Sequence, residues 1–140
     1  MKIFLDANIC LDLLDTTRPT SKKSVEWYLQ QKDDISKEFF FSADFITTFY
    51  YILTEKRKYD GKKTLQAIEM LSVEIKPHYL THTDFLNAKE EFFSNAFEDF
   101  EDLLIVSSAS RINSNQFITN DKKLLQLGTF QNINIGLPLC

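Results

Sequence analysis

The sequence predicts a three-layer α/β/α sandwich with a mostly parallel central sheet, on the basis of three observations. Short apolar segments typical of buried strands, such as residues 3–5 and 39–41, recur along the chain. Segments with apolar residues at helical spacing lie between them. Of the 140 residues, 44% are hydrophobic, which is enough for a substantial core. Alternating strands and helices are typical of parallel α/β sheets, and we expect a single domain over residues 1–140.

The predicted elements follow one another without repeats or Pro/Gly-rich linkers. The third strand is the weakest because Pro77 cannot donate a hydrogen bond to a sheet. The predicted strands are residues 3–5, 39–41, 73–80, 116–119 and 133–135. The predicted helices are residues 8–15, one capped by Ser21, 44–58, 63–71, one capped by Thr81 or Thr83, 98–111, and 122–127 ended by Gly128.

Composition and charge exclude several classes of protein. A formal charge of −4 argues against binding of nucleic acid through a broad basic surface, although bound divalent cations can offset clustered acids. No apolar stretch approaches the ~18 residues that span a membrane, and the N-terminus lacks a signal-peptide pattern. We therefore expect a cytoplasmic protein without a membrane partner. Cys10 is expected in the core, and the terminal Cys140 at the surface.

Acidic residues stand where predicted elements meet. Asp6 follows the first strand, Asp121 follows the fourth, and Asp99 and Asp102 share one face of a helix start. Any one of them is explained simply by a helix dipole, which favours acids at its N-terminus. Three separate segments with the same feature favour a metal site at the carboxyl edge of the sheet, where ligands gather in parallel α/β folds.

The chemistry of such a site is that of a hard divalent cation. Carboxylates packed together repel one another, and Mg²⁺ or Mn²⁺ removes that conflict because both ions prefer oxygen ligands. These ions can activate water and offset the charge that develops on a phosphate. The sequence contains no Ser-His-Asp arrangement, and none of its 3 glycines lies in a phosphate-binding loop.

Three short segments resemble the main motifs of the PIN domain family. They are residues 4–9 (Phe-Leu-Asp-Ala-Asn-Ile), 99–104 (Asp-Phe-Glu-Asp-Leu-Leu) and 118–121 (Ile-Thr-Asn-Asp). Their order and spacing match the family over essentially the whole chain. The resemblance implies a Mg²⁺- or Mn²⁺-dependent endoribonuclease, as in the VapC-type toxins of type II toxin–antitoxin pairs. It also implies an RNA substrate, an antitoxin partner that binds a hydrophobic groove, and a homodimer or higher homo-oligomer.

The same resemblance assigns roles to individual acids. Asp6, Asp102 and Asp121 would be the catalytic metal ligands, and Asp99 would be an accessory acid at the metal. A water activated by the cation would attack the RNA phosphodiester.

Supporting positions are also implied, with one departure from the family pattern. Asn8 and Thr119 would order the carboxylates by hydrogen bonding. PIN domains usually carry a glutamate in the helix after the second strand, where this chain has Thr48. A hydroxyl is a far weaker metal ligand than a carboxylate. Asp44, one turn earlier, is expected to cap the helix, and we do not expect Asp99 to compensate.

Two other classes of protein remain as alternatives. A non-catalytic RNA- or protein-binding module on the same fold is favoured by Thr48. A response-regulator receiver domain usually has paired acids after its first strand and a lysine after its last strand, and neither is evident.

Other candidate residues have simpler explanations. His78 and His82 match no strong metal motif, and aromatic residues 49–51 are expected in the core or a subunit contact. The basic stretch 56–63 is explained equally well by contacts with RNA phosphates and by a solvated helical hairpin.

Overall fold

A six-stranded sheet runs through the protein in the computed structural model, which describes residues 1–139. The strands are β1 (Lys2–Leu5), β2 (Glu38–Ser42), β3 (Lys76–His78), β4 (Gln116–Ile118), β5 (Thr129–Phe130) and β6 (Ile133–Gly136). Their order across the sheet is β3-β2-β1-β4-β6-β5, and all neighbours are parallel except β5 and β6. The β1 strand therefore lies in the interior of the sheet, paired on both sides.

Helices cover both faces of this sheet. They are α1 (Ala7–Leu14), α2 (Ser21–Gln31), α3 (Phe45–Tyr51), α4 (Gly61–Glu74), α5 (His82–Phe93), α6 (Phe100–Arg111) and α7 (Lys122–Leu127). In β1, Ile3 and Leu5 pack into one core cluster with Trp27 of α2, whereas Phe4 packs into a second cluster with Val106 of α6. Successive strand residues point to opposite faces, so β1 joins the two cores. The predicted three-layer sandwich is confirmed.

The third strand is where the sequence-based boundaries are wrong. The predicted strand 73–80 begins too early, because α4 continues to Glu74 and β3 covers only Lys76–His78. Pro77 is accommodated because β3 lies at an edge of the sheet, where one side of the strand needs no ladder hydrogen bonds. The two-residue strand β5 was not predicted.

The helix ends also differ from the expectation. The predicted helices 63–71 and 98–111 are α4 (Gly61–Glu74) and α6 (Phe100–Arg111). The α-helix of the predicted segment 44–58 ends at Tyr51 and continues as a π-helical turn, Ile52–Lys56. Asp44 occupies the N-cap position of α3, but its side chain makes no capping hydrogen bond. Ser21 does not cap α2: Thr20 is at the N-cap, and the Ser21 hydroxyl donates to the carbonyl of Asp12 at 2.6 Å.

Other local expectations are confirmed. Thr81 caps α5 in a capping box with Asp84, and Gly128 ends α7 with a φ of 75°. Cys10 is buried, while Cys140 lies outside the described residues. Within residues 1–139, no helix has the length and apolar character needed to cross a bilayer.

A buried ion pair ties α5 to α6. Asp84 is 0% exposed, and its two carboxylate oxygens accept from Nε and Nη2 of Arg111 at 2.8 and 3.2 Å. The backbone N–H of Thr81 donates to Asp84 at 2.9 Å. Burial acts to raise the pKa of Asp84, but the hydrogen bonds from Arg111 and Thr81 outweigh it and hold the pKa below its usual value.

We predict that Asp84→Asn destabilises the protein by about 3 kcal/mol at neutral pH, because it leaves the Arg111 charge without its partner. A carboxyl with a lowered pKa stabilises the fold above its unfolded pKa of about 3.9 and loses that contribution as the pH falls through the folded pKa. The difference between wild type and variant, measured by urea unfolding, should therefore be full at pH 7 and shrink in acid. A difference that is unchanged across this range would contradict the prediction.

Candidate active site

The adjacent strands β1 and β4 bring Asp6 and Thr119 side by side. Leu5 is in register with Ile118, and the N–H of Asp6 donates to the carbonyl of Ile118 at 2.9 Å. The next residues along each strand are therefore neighbours, and the Thr119 hydroxyl donates to Oδ2 of Asp6 at 2.7 Å. Asp6 is only 8% exposed, so this bond replaces water that the carboxylate has lost.

Asn8 completes the surroundings of Asp6. Its Nδ2 lies 3.3 Å from Oδ2 of Asp6 and 3.2 Å from Oγ1 of Thr119. Asp6 also caps α1, since its Oδ1 accepts from the N–H of Ala7 at 2.8 Å. The hydrogen bonds expected of Asn8 and Thr119 are therefore present in the structure.

Asp121 is joined to the same group through its backbone. Its N–H donates to Oγ1 of Thr119 at 2.9 Å. Its carboxylate caps α7 by accepting from the N–H groups of Lys123 and Leu124 at 2.8 and 3.3 Å. Thr119 thus fixes both Asp6 and Asp121.

The acids of α6 stand at the N-terminus of that helix. Asp99 is the N-cap, and its side chain accepts from the N–H of Asp102 at 3.3 Å. Asp102 lies in the first turn with Glu101. Asp6, Asp99 and Asp121 therefore all have the helix-capping role that is the simplest explanation of a lone aspartate at such a position.

Mutual repulsion marks these acids as one electrostatic group. Burial, followed by the negative charges of Asp99, Asp6, Asp121 and Glu101, raises the pKa of Asp102 to about 7. Burial also raises the pKa of Asp6, to which the charge of Asp121 adds, although its hydrogen bonds act in the opposite direction. In the described part of the chain, none of the four predicted ligands forms an ion pair with a basic side chain.

Lys123, which follows Asp121 closely, forms its ion pair with an acid outside the four predicted ligands. Its Nζ pairs with Glu98 at 2.9 Å.

The donor set fits a hard divalent cation in chemistry. Carboxylate oxygens are ligands that Mg²⁺ and Mn²⁺ prefer. The arrangement is open, because no group of three His, Cys, Asp or Glu side chains within residues 1–139 is close enough to hold a metal ion as it stands. Binding would require the carboxylates to converge.

Thr48 is the predicted position that the structure does not bring into this network. It lies exposed on α3 and takes part in none of the side-chain hydrogen bonds around Asp6. Asp44 is also exposed, and its Oδ2 lies 3.4 Å from the N–H of Leu80.

Two polar residues next to the site were missed from the sequence. Asp12 of α1 is 0% exposed, and its Oδ2 accepts from Nδ2 of Asn120 at 3.2 Å. The signal was available: Asp12 follows the apolar run 9–11 in the first helix, and a charge at such a position must be paired when buried. Asn120 stands between Thr119 and Asp121, and only those two neighbours were predicted as site residues.

The residues with simpler explanations have structural contacts elsewhere. His78 lies 2.9 Å from Nη2 of Arg111 and packs edge-on against Phe4. Phe49 is buried, whereas Tyr50 and Tyr51 are exposed. In the basic stretch, Arg57 pairs with Asp15 at 3.2 Å.

Comparison with known proteins agrees with this geometry. A family model described as the PIN domain matches residues 3–129. The chain belongs to the PIN domain family. Among curated relatives of this PIN domain, Ribonuclease VapC1 of Aquifex aeolicus (strain VF5) is 33% identical over 126 residues, which cover 86% of this chain and 82% of that protein. The resemblance identified from the three motifs is confirmed.

Solved structures share the PIN fold. VapC20 of Mycobacterium tuberculosis, described as a sarcin-ricin loop cleaving toxin, has a TM-score of 0.71 and 13% identity, with coverage of 94% of this chain and 98% of that chain. VapBC2 of Rickettsia felis, bound to a promoter DNA fragment, has a TM-score of 0.67 and 14% identity, with 98% of both chains covered. VapBC-1 of nontypeable Haemophilus influenzae has a TM-score of 0.67 and 20% identity, with 96% of both covered.

We predict that Asp102→Asn stabilises the metal-free protein in mildly alkaline solution. Because the pKa of Asp102 is raised to about 7, the stability that its protonated form contributes is present below about pH 4 and is lost as the pH rises through 7. Asparagine carries no charge at any pH. The variant should be more stable than wild type by roughly 1–2 kcal/mol at pH 8, after allowance for solvent screening, and similar at pH 4.

Thermal and urea unfolding in EDTA at both pH values measure this difference. Asp33→Asn, which removes an exposed acid from the loop after α2, is the matched control and should have no effect. A variant that is less stable than wild type at pH 8 would show that Asp102 is not under repulsion.

Proposed function

We propose that this PIN domain is a Mg²⁺- or Mn²⁺-dependent endoribonuclease and the toxin of a type II toxin–antitoxin pair. The observation that carries the proposal is the group formed by the carboxylates of Asp6, Asp102 and Asp121. Burial and the charges of neighbouring acids raise the pKa of Asp102 to about 7, and none of the three carboxylates forms an ion pair within the described chain. A relative at 33% identity that is named a ribonuclease supports the reaction class.

Each acid of the site would have a defined role. Asp6, Asp102 and Asp121 would hold the cation, with Asp99 as an accessory acid. When bound, the cation would supply Lewis-acid chemistry, lowering the pKa of a water and offsetting charge on the phosphate.

The chain's own contribution is to keep the donors oriented and ready to ionise. The hydroxyl of Thr119 and the N–H of Ala7 hold Oδ2 and Oδ1 of Asp6 in one rotamer. The Asp102 carboxyl has a pKa of about 7 and is therefore partly protonated in neutral solution, so the approach of a cation would displace its proton. Binding of metal should thus release protons and strengthen with pH.

The antitoxin is proposed to dock in an apolar groove. The groove has a volume of about 580 Å³ and lies between α1, α2 and α4, lined by side chains that include Leu14, Val25, Leu29 and Met70. Leu29 and Met70 remain 55% and 71% exposed, and exposed apolar patches of this kind mark interaction sites. A hydrophobic groove of this kind can receive the apolar face of a partner helix, and two of the structural neighbours are VapBC proteins.

Self-association and location complete the proposal. Exposed apolar side chains on α5, among them Phe85, Leu86 and Phe93, provide a surface for the expected homodimer or higher homo-oligomer. The expected cytoplasmic location is where an RNA substrate would be met.

A non-catalytic RNA- or protein-binding module is the second candidate, and the position of Thr48 outside the carboxylate network favours it. It differs from the first candidate in a measurable way. Such a module would bind RNA without cleaving it in Mg²⁺ or Mn²⁺, and calorimetry would detect no tight binding of either cation.

We predict that the wild-type protein cleaves single-stranded RNA in Mg²⁺ or Mn²⁺ and that Asp6→Asn lowers kcat/KM by about 100-fold. The amide keeps the size of the side chain but is a poor ligand for a hard cation. Electrophoresis of end-labelled RNA measures the rates, with EDTA as the metal-free control and Asp33→Asn as the matched charge control. Equal cleavage by Asp6→Asn and wild type would overturn the assignment.

We predict that Leu29→Glu and Met70→Glu weaken binding of the antitoxin by about 10-fold or more, because each places a charge on the apolar groove. Where a small open reading frame adjoins this gene, its product is the probe, and its affinity is measured by calorimetry. Ribonuclease activity should be retained. Ile35→Glu, at a fully exposed apolar residue outside the groove, should bind like wild type. Unchanged binding by both groove variants would exclude this surface.

A further inference from the structure

We propose that Asp12 and Asn120 act as positioning residues for the carboxylate group. They form a hydrogen-bonded link between α1, α2 and the loop after β4, and this link sets the orientation of Asn8 and through it of Asp6. The inference rests on the proposed metal site, but not on RNA being the substrate.

Asp12 is held rigidly on the side away from the site. Its Oδ1 accepts from Nε of Arg18 at 2.8 Å and from the hydroxyl of Thr20 at 2.7 Å. Its Oδ2 accepts from the hydroxyl of Ser24 at 2.5 Å. With the side chain fully buried, these donors leave one preferred geometry for the carboxylate.

Asn120 connects the fixed carboxylate of Asp12 to the site. Its Nδ2 donates to Oδ2 of Asp12 at 3.2 Å, and its backbone N–H donates to Oδ1 of Asn8 at 3.0 Å. Asn8 in turn contacts Asp6 and Thr119 through Nδ2 at 3.3 and 3.2 Å. Because the Asn8 carbonyl oxygen is fixed by Asn120, its amide nitrogen must face Asp6.

The contacts of Asp12 serve two purposes. Its bonds with Arg18, Thr20 and Ser24 hold α1 against α2 and the loop before it, and they stabilise the fold because removing one partner of a buried ion pair is costly. The contact with Asn120 is separate from these, because it connects the cluster to the loop after β4. The carboxylate of Asp12 provides what an apolar residue cannot, a fixed acceptor for Asn120. Residues that orient ligands in this way change metal affinity by about 10- to 100-fold when mutated.

The test uses Asn120→Ala, which removes the contact between Nδ2 and Asp12 and leaves the Asp12–Arg18 ion pair in place. The backbone N–H of residue 120 remains but is no longer positioned by Asp12. Calorimetry with Mn²⁺ should show a Kd about 10-fold or more above wild type, with little change in Tm, and Asp12→Asn should show the same weakening. The matched control is Asp84→Asn, because Asp84 is the other fully buried aspartate that pairs with a partly exposed arginine. It should lower Tm and leave the affinity for Mn²⁺ unchanged. In RNA cleavage, Asn120→Ala should lower kcat more than it changes KM.

A second readout does not require metal. Hydrogen exchange of the Asn8 side-chain amide, followed by NMR, should be slow in wild type and in Asp84→Asn but fast in Asn120→Ala. Wild-type affinity for Mn²⁺ in Asn120→Ala, or equal weakening in Asp84→Asn, would overturn the inference. If the wild type binds Mn²⁺ but cleaves no RNA, the ribonuclease proposal fails and this inference is still decided by the affinities. If it binds no Mn²⁺, the inference fails as a statement about a metal site, whatever the exchange rates show.

Discussion

The hydrogen bond from Thr119 to Asp6 is the contact on which the acidic end of the sheet depends. It joins the residues that follow two paired strands, β1 and β4, and places a nearly buried carboxylate against a hydroxyl at 2.7 Å. The same oxygen of Thr119 accepts from the backbone of Asp121 at 2.9 Å. One side chain thereby fixes two acids that repel each other, which the sheet alone would not do.

Most of the acids at the site also stabilise the fold by capping helices. Asp6, Asp99 and Asp121 each cap the start of a helix, so each is stabilised by backbone N–H groups without any metal. Asp102 caps no helix, and burial together with the charges of neighbouring acids raises its pKa to about 7. The helix caps therefore keep the other acids in place, while the Asp102 carboxyl remains the one that a cation would most help to ionise.

The parts of this arrangement that could be predicted are those that depend on local sequence. Buried strands, helix starts and the acids beside them depend on residues a few positions apart, so Asp6 and Asp121 could be placed at strand ends. The start of β3 could not, because the apolar pattern around Val73 suits a helix and a strand equally well. The contact between Asp12 and Asn120 joins residues 108 positions apart, and only the paired strands β1 and β4 bring them together.

The departure at Thr48 changes how negative charge is distributed around the site. Without a carboxylate from α3, the charge comes from the ends of β1 and β4 and from the first turn of α6. Asp99 and Glu101 both act on Asp102 and lie on the same helix as it does. The acids on α6 thus raise the proton affinity of Asp102, whereas a glutamate on α3 would add a carboxylate from a separate element. In the proposed metal site, the threonine at position 48 would therefore lower the number of carboxylate ligands and leave cation binding dependent on the ionisation of Asp102.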